Sequence, residues 1–478
     1  MREELTPSDR GSLMAERGPI NMAVGGVMVF ERKPVLTRAT VIERISERLH
    51  LIPRLRQRLE EPPLGIASPV WTDDVNFDLE WHVRQASLPK PGGEAELGQF
   101  VGREFSHRLD RSRPLWEITL IEGLEGNRRA LVLKAHHALV DGMAALALGA
   151  LLLDPTAEPM EIAPPEQEWA PLPYDMRKHV TKLATTPITR AAKPVFEGML
   201  RALDPSPRRA VTDALKAAQD LRKATDVALE LAKNRPTAPM LPLNRTISAN
   251  RRYAIEHVDL VTVKKVGKLA GGTVNDTMLA VVTGMLARYI SAAEGTELPG
   301  EARMTPLKRN PIALVPVSVR TETESGELGN RISTVFVDLP VDEPDLLKRI
   351  ARIHAEMSTI KDSAAIRAGE IMVGMTGLAP PLVSGLLVLA MGSVRAFNMV
   401  VTNLPGPQVP LYMKGVRATE IYPLAPLNPS NQGLTVGLLS YNGTVCMGVL
   451  ADRDLEPGLS VAVEGLEAAL AELHAAAR

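Results

Sequence analysis

Two adjacent histidines, followed after a three-residue spacer by an Asp-Gly dipeptide, are the residues of this chain best suited to chemistry. They are His136, His137, Asp141 and Gly142. Histidine changes its protonation near neutral pH, so a histidine that faces a cleft can take a proton from a substrate as a general base. An aspartate one helical turn later can hold the local backbone. The alternative is that both histidines are structural residues of a strand-to-helix turn.

The segments around the histidine pair predict how it is positioned. An apolar strand is expected at 129–134 and a helical run at 143–148, so the pair lies at the end of a strand. The rest of the first half alternates between strand and helix patterns. Strands are expected at 24–30, 77–83 and 116–121, and helices at 40–51 and 97–109.

A second α/β half is expected after a change in composition. Prolines crowd residues 155–173, and a long helical pattern covers 211–233, which is read as a crossover helix, with an interfacial helix on lipid as the alternative. The second half predicts strands at 253–261, 312–319, 332–339, 398–402, 434–439 and 444–450, and helices at 274–293, 346–361 and 459–477.

The predicted organisation is therefore three sections of one α/β chain. They are a first α/β domain at 1–155, a proline-rich and helical crossover linker at 156–245, and a second α/β domain at 246–478. Two such halves place a cleft at their junction, which is the usual location of a site.

Composition narrows the possible partners. The chain has 55 Lys and Arg against 56 Asp and Glu, a formal net charge of -1, which gives no general attraction to nucleic acid. Its single cysteine, Cys446, permits no intrachain disulfide and fits a cytoplasmic location. No histidine or cysteine spacing suggests a metal site. Residues 371–394 carry no charge, but prolines and glycines favour two short buried helices over a membrane span.

The HHxxxDG pattern is the signature of CoA-dependent and carrier-dependent acyltransferases with the chloramphenicol-acetyltransferase type of fold. Over nearly its whole length the chain further resembles the bacterial wax ester synthase/diacylglycerol acyltransferase family. The blocks that carry this resemblance follow the family's order: residues 5–9 with Glu16 and Gly25-Gly26, residues 69–71 with Trp71, residues 109–117 with Pro114-Leu-Trp116, Leu243-Asn244, Asn275-Asp276, residues 329–331, residues 403–407, and residues 439–454. One departure is Asn21-Met22-Ala23, where the family often has a Met-His pair.

The resemblance implies two chloramphenicol-acetyltransferase-like mixed α/β domains with the active site at their interface. It implies that His137 is the general base and that His136 supports or orients it. Asp141 holds the loop by an ion pair, and Gly142 permits a tight backbone at the start of the helix. Asn275 either donates to the oxyanion or caps a helix, and the residues leave both possibilities open.

Five further residues receive supporting roles from the same resemblance. Asp276 lies beside Asn275 on the wall opposite the histidines. Pro114 and Trp116 brace the active-site strand rather than touch substrate. Glu16 and Trp71 are suggested by the family alone.

The implied reaction is acyl transfer from acyl-CoA to diacylglycerol, a fatty alcohol, or both. With no activated nucleophile in the sequence, direct transfer is simpler than an acyl-enzyme, and acyl-CoA is a co-substrate rather than a cofactor. A cytoplasmic protein held peripherally at a membrane or lipid-droplet surface is expected. The alternatives are a condensation-domain-like or polyketide-associated acyltransferase, and a lipid-binding droplet-surface protein without catalysis.

Overall fold

The computed structural model describes residues 3–5, 7–61, 69–139, 149, 152–172, 238–295, 310–318, 332–361, 396–427 and 432–478. Its strands are β1 (Glu3–Glu4), β2 (Ala23–Phe30), β3 (Gln57–Glu60), β4 (Val70–Asp73), β5 (Val83–Ser87), β6 (Trp116–Glu122), β7 (Arg129–His136), β8 (Arg251–Asp259), β9 (Ile312–Ser318), β10 (Ile332–Asp338), β11 (Met399–Pro405), β12 (Tyr412–Met413), β13 (Val416–Leu424), β14 (Leu434–Tyr441) and β15 (Thr444–Asp452). Its helices are α1 (Pro7–Ala15), α2 (Arg38–Arg48), α3 (Leu79–His82), α4 (Glu94–Glu104), α5 (Leu260–Leu269), α6 (Val274–Ala293), α7 (Leu346–Lys361) and α8 (Leu459–Ala476).

The first of two six-stranded sheets carries the histidine pair. Its order is β12-β13-β2-β7-β6-β5, and β7 lies between β2 and β6 with antiparallel pairing to both. Alternation along the central strands separates two apolar cores. Met28 and Leu131 pack with residues of α2 on one face, whereas Val27 and Val132 pack with residues of α4 on the other.

The second sheet has the order β10-β9-β11-β14-β15-β8. Helix α6 is apolar over most of its surface and is buried between this sheet and the helices α7 and α8. A helix that is hydrophobic on nearly all sides must be surrounded in this way, so the strong pattern at 274–293 predicts both its helical form and its burial. A separate small sheet, β1-β4-β3, packs beside the first half.

The two large sheets approach each other through glycines. A Cβ on Gly448 of β15 would lie 2.1 Å from the carbonyl oxygen of Pro423 in β13, and a Cβ on Gly437 of β14 would lie 3.1 Å from the same oxygen. Tyr253 of β8 donates a hydrogen bond to that oxygen at 3.0 Å. Side chains larger than hydrogen at these glycines would separate the sheets.

Strands of the first sheet come from distant parts of the chain. β12 and β13 belong to the second half in sequence, yet β13 pairs with β2 over Ala418–Leu424 and Gly25–Phe30. The mixed α/β architecture with two sheets is confirmed. The boundaries at 155 and 245 stay a prediction, because the sheets do not divide the chain at a single point.

One predicted strand is wrong. Residues 77–83 alternate like a strand, but they form the short helix α3 and then enter β5. The reason is a local cap, since the Asp78 carboxylate accepts a hydrogen bond from the Glu80 amide at 2.9 Å. The helix expected at 97–109 runs instead over α4, where the Glu96 carboxylate accepts a hydrogen bond from the Gly93 amide at 2.8 Å.

Three expected segments lie outside the described residues. They are the helical run at 143–148, the crossover helix at 211–233 and the uncharged stretch at 371–394. Among the helices that are described, none is long and apolar enough to cross a membrane.

Candidate active site

The histidine pair lies at the end of β7, as the sequence predicts. Two backbone hydrogen bonds hold this end from both sides. The His136 amide donates to the Leu115 carbonyl at 2.9 Å, and the His137 amide donates to the Met22 carbonyl at 2.9 Å. The two acceptor residues, Leu115 and Met22, immediately precede β6 and β2 of the same sheet. The position of the pair is therefore set by the sheet.

His136 is a structural residue of this strand end. Its ring is 1 % exposed, and its Nδ1 accepts a hydrogen bond from the Ala138 amide at 3.0 Å. An amide can only donate, so the ring carries its proton on Nε2, which faces Glu16 Oε2 at 3.5 Å. Burial and these contacts fit the expected supporting role. His137 is partly exposed, as a residue that meets substrate must be.

Glu16 holds the histidine pair by two routes. Its carboxylate contacts His136 directly. The same carboxylate accepts a hydrogen bond from the Met22 amide at 3.1 Å, and the Met22 carbonyl accepts the hydrogen bond from the His137 amide. Arg111 donates to the same carboxylate at 3.0 Å. Burial opposes ionisation of Glu16, but His136, the Met22 amide and Arg111 outweigh it and lower its pKa to about 2.

The tryptophan of the Pro-Leu-Trp segment braces the site and also lines a cavity. The Trp116 ring stacks on His82 with centroids 4.4 Å apart, and its Nε1 donates to the Leu55 carbonyl at 2.8 Å. Burial lowers the pKa of His82 to about 4, so this stack contains a neutral imidazole at neutral pH. Pro114 is buried, and its carbonyl accepts from the Trp116 amide. These contacts fit the expected bracing role, and Trp116 also lines the cavity described below.

Trp71 supports the residue that follows the histidines. It is fully buried in β4 and belongs to a small apolar cluster that includes Leu115 and Ala138. The guanidinium of Arg54 lies over its ring, 4.7 Å from the centroid. Trp71 therefore acts on the histidine loop through packing rather than through contact with a reacting group.

The Asn-Asp pair of the second half lies at the start of α6. Thr273 is the N-cap, and the Asp276 carboxylate completes a capping box. The alternative in which Asn275 caps the helix is therefore wrong. Asp276 also contacts His354 Nδ1 of α7 at 2.8 Å, so it fixes the end of α6. Asn275 accepts at Oδ1 a hydrogen bond from Asn403 Nδ2 at 3.0 Å.

A cavity of about 390 Å³ lies between the two large sheets. Ala135, two residues before His137, lines it together with Leu404, one residue after Asn403. Its walls come from both sheets, from α2 and from the loop after β11, and they are chiefly apolar. The other lining residues are Val24, Gly25, Gly26, Met28, Ile45, Leu55, Trp116, Glu117, Ile118, Leu133, Lys134, Gly149, Leu152, Leu153, Pro405, Pro407, Leu411, Ile421, Tyr422, Pro423 and Leu439.

Glu117 and Lys134 do not make this cavity polar. On their strands they alternate with Ile118 and Ala135, which pack on the α2 side, so their side chains point to the α4 side. Lys134 Nζ donates hydrogen bonds to the carbonyls of Glu104 and His107, both at 2.7 Å. Burial lowers the pKa of Lys134 and raises the pKa of Glu117. The cavity thus suits an alkyl chain.

Comparison with known proteins identifies the family. Residues 5–278 match the model of the wax ester synthase/diacylglycerol acyltransferase catalytic domain, and residues 328–474 match the model of the C-terminal domain of the same family. The chain belongs to the wax ester synthase/diacylglycerol acyltransferase family. It is an acyltransferase, as the histidine pattern predicts.

Individual members of this family and of its fold support the assignment. The probable diacylglycerol O-acyltransferase tgs1 of Mycobacterium tuberculosis is 30 % identical over 98 % of this chain and 96 % of its own length. The solved wax ester synthase/diacylglycerol acyltransferase of Marinobacter aquaeolei VT8 is 27 % identical, covers 99 % of this chain and 100 % of its own, and superposes with a TM-score of 0.69. The first condensation domain of the CDA synthetase, 14 % identical over 100 % of this chain and 97 % of its own, superposes with a TM-score of 0.53 and so shares the fold. This is the expected chloramphenicol-acetyltransferase-like fold.

The sequence did not point to a role for some residues of the candidate active site of this chain. Asn403 and Arg111 lay in recognised blocks without a role, and His82 and His354 had no local signal, because each acts through a partner far along the chain. Asp141 and Gly142 lie outside the described residues, so their roles stay predictions. Among the described residues, no group of three or more His, Cys, Asp or Glu could hold a metal ion.

Proposed function

We propose that this chain transfers a long-chain acyl group from acyl-CoA to diacylglycerol, to a fatty alcohol, or to both. His137 takes the proton from the acceptor hydroxyl, the oxygen attacks the thioester carbonyl, and CoA leaves as thiolate that accepts a proton. Such general-base assistance contributes on the order of 10²–10⁴-fold to rate. The proposal needs no acyl-enzyme and no resident cofactor.

The observation that carries this proposal is the apolar cavity whose lining on β7 runs to Ala135, two residues before His137. It is bounded by Ala135 on the strand of the histidines and by Leu404 on β11 of the other sheet. An alkyl chain in this cavity would hold its carbonyl or hydroxyl end near the partly exposed His137, while the buried His136 and Glu16 keep the strand end in place. Asn275 would donate to the oxyanion, a contribution of about 10²–10³-fold.

The acceptor is decided by a competition assay. One labelled acyl-CoA is offered with diacylglycerol and hexadecanol together, and the two products are separated and counted. The proposal expects at least one ester product from the wild-type protein. It also expects that His137→Ala removes turnover while acyl-CoA binding, measured by calorimetry, survives. Binding without turnover in the wild type would instead indicate a lipid-binding protein, and full activity in His137→Ala would overturn the assignment of the base.

We further propose that the protein docks peripherally on an anionic lipid surface through α5. Leu260, Val263 and Val266 bury one face of this helix. The opposite face exposes Val261 and Leu269, and the intervening Lys264 and Lys268 are exposed as well. An exposed face that combines lysines with apolar side chains suits the headgroup region, where each lysine contributes about 1 kcal/mol.

Vesicle sedimentation tests the docking helix. The double variant Lys264→Glu/Lys268→Glu should lose binding to vesicles of phosphatidylglycerol and phosphatidylcholine. The matched control is Arg32→Glu/Lys33→Glu, which makes the same change of charge at two exposed residues between β2 and α2. Equal losses of vesicle binding in both variants would show that net charge alone accounts for binding, and would contradict a role for α5.

A further inference from the structure

Asn403 reaches the start of α6 because of its place on β11. Met399 and Val401 point from this strand into the core formed with the helices, and side chains alternate along a strand. Asn403 continues the same face beyond the core, where α6 begins. Its partner in the parallel register is Leu438 of β14, which fixes its height in the sheet.

In the contact between the two asparagines, Asn275 presents its carbonyl oxygen to Asn403. Asn403 Nδ2 donates to Asn275 Oδ1 at 3.0 Å. A side-chain amide has one carbonyl and one NH2 group, so a carbonyl that is held on one side turns the two N–H donors to the other side. Among the described residues, no acceptor is hydrogen-bonded to Asn275 Nδ2. Leu404, the next residue along β11, points to the opposite face of the sheet and lines the cavity between the two sheets.

We propose that Asn403 is a positioning residue that orients the Asn275 amide so that its NH2 group, and not its carbonyl, faces the reacting thioester. This inference rests on the proposed function, because it takes Asn275 as the oxyanion donor. Reversal of the amide would place a carbonyl dipole against the developing negative charge. An orienting contact of this kind acts in the transition state, so its loss lowers kcat and leaves KM nearly unchanged.

Asn403→Asp and Asn403→Ala separate orientation from packing. A carboxylate only accepts, so in Asn403→Asp the Asn275 NH2 group should turn toward it and away from the substrate. We expect kcat to fall about 10²-fold, close to the fall in Asn275→Ala. In Asn403→Ala the Asn275 amide can still adopt the productive orientation part of the time, and we expect a fall of roughly 10-fold. A purely structural role predicts the reverse order, because Asp preserves the shape of Asn and Ala does not.

The matched control is Gln408→Glu, which makes the same change from amide to acid five residues further on. Gln408 is exposed and contacts Gly406, Ser440 and Gly443 outside the cavity lining, so its kcat should stay within about 2-fold of wild type. Acyl-CoA binding and the melting temperature are measured for every variant, so that a loss of folding is separated from a loss of rate.

The double variant Asn275→Ala/Asn403→Asp tests whether Asn403 acts through Asn275. If Asn403 acts through Asn275, the double variant is no slower than Asn275→Ala alone. A wild-type kcat in Asn275→Ala overturns this inference but leaves general-base catalysis by His137 intact. A lowered kcat in Asn275→Ala together with a milder effect of Asn403→Asp than of Asn403→Ala overturns the orienting role alone. Full activity in His137→Ala is the separate result that overturns the proposed function.

Discussion

Replacement of Glu16 by glutamine tests whether a buried carboxylate holds the histidine strand end. The pKa of Glu16 falls from 4.5 to about 2 in the folded protein. Each pKa unit corresponds to about 1.4 kcal/mol, so the ionised form is stabilised by about 3 kcal/mol. Glutamine keeps an oxygen for the Met22 amide, and Arg111 is 36 % exposed and keeps water as a partner. We therefore expect Glu16→Gln to lower the free energy of unfolding by about 2 kcal/mol, less than the full stabilisation of the ionised carboxylate.

The matched control for Glu16→Gln is Glu61→Gln. Glu61 contacts the other nitrogen of the same Arg111 guanidinium at 3.3 Å, but its side chain is 59 % exposed. Exposed ion pairs contribute little, so Glu61→Gln should cost about 0.5 kcal/mol or less. Urea unfolding at pH 7 measures both losses. Equal losses would refute the argument that burial and the contact with His136 make the Glu16 carboxylate important.

The same substitution has a defined pH dependence. Because the folded pKa of Glu16 lies below its unfolded value, its contribution to stability is complete above about pH 4.5 and is lost as the pH falls toward 2. The stability difference between wild type and Glu16→Gln should therefore be constant from pH 7 to about pH 5 and should narrow below that. Turnover should also fall, by up to about 10²-fold, because a small displacement of His137 misaligns the base. A difference that widens on acidification would contradict the reasoning.

Three further substitutions test contacts that join parts of the molecule. Tyr253→Phe removes the hydrogen bond to the Pro423 carbonyl and should lower the free energy of unfolding by about 1 kcal/mol in a urea titration, whereas no change would show that the sheets do not depend on this bond. Gly448→Ala places a Cβ against the same carbonyl and should cost about 3 kcal/mol or more by the same measurement, and a wild-type melting curve would contradict the close approach of the sheets. Asp276→Asn weakens the cap of α6 and the contact with His354 and should cost about 1 kcal/mol, which an unchanged thermal midpoint would exclude.

Short-range signals were sufficient for most elements of the fold. The apolar run before the histidines predicts β7, and the strongly apolar pattern at 274–293 predicts α6, because each depends on the chain's own periodicity. Alternation failed at 77–83, where the Asp78 carboxylate offers the backbone a local hydrogen bond that favours a helical turn. The block order and the HHxxxDG pattern were sufficient for the family and for the reaction class.

The sequence by itself determined the chemistry available to this protein, because a histidine pair at a strand end is a local feature. Only the tertiary structure decided how that chemistry is arranged. Glu16 meets His136, and Asn275 meets Asn403, across 120 and 128 residues of chain. Strand β13 likewise pairs with β2, although the two strands lie far apart along the chain. Such contacts depend on which strands pair and at what register, and no local pattern encodes a pairing whose free energy arises from the whole core.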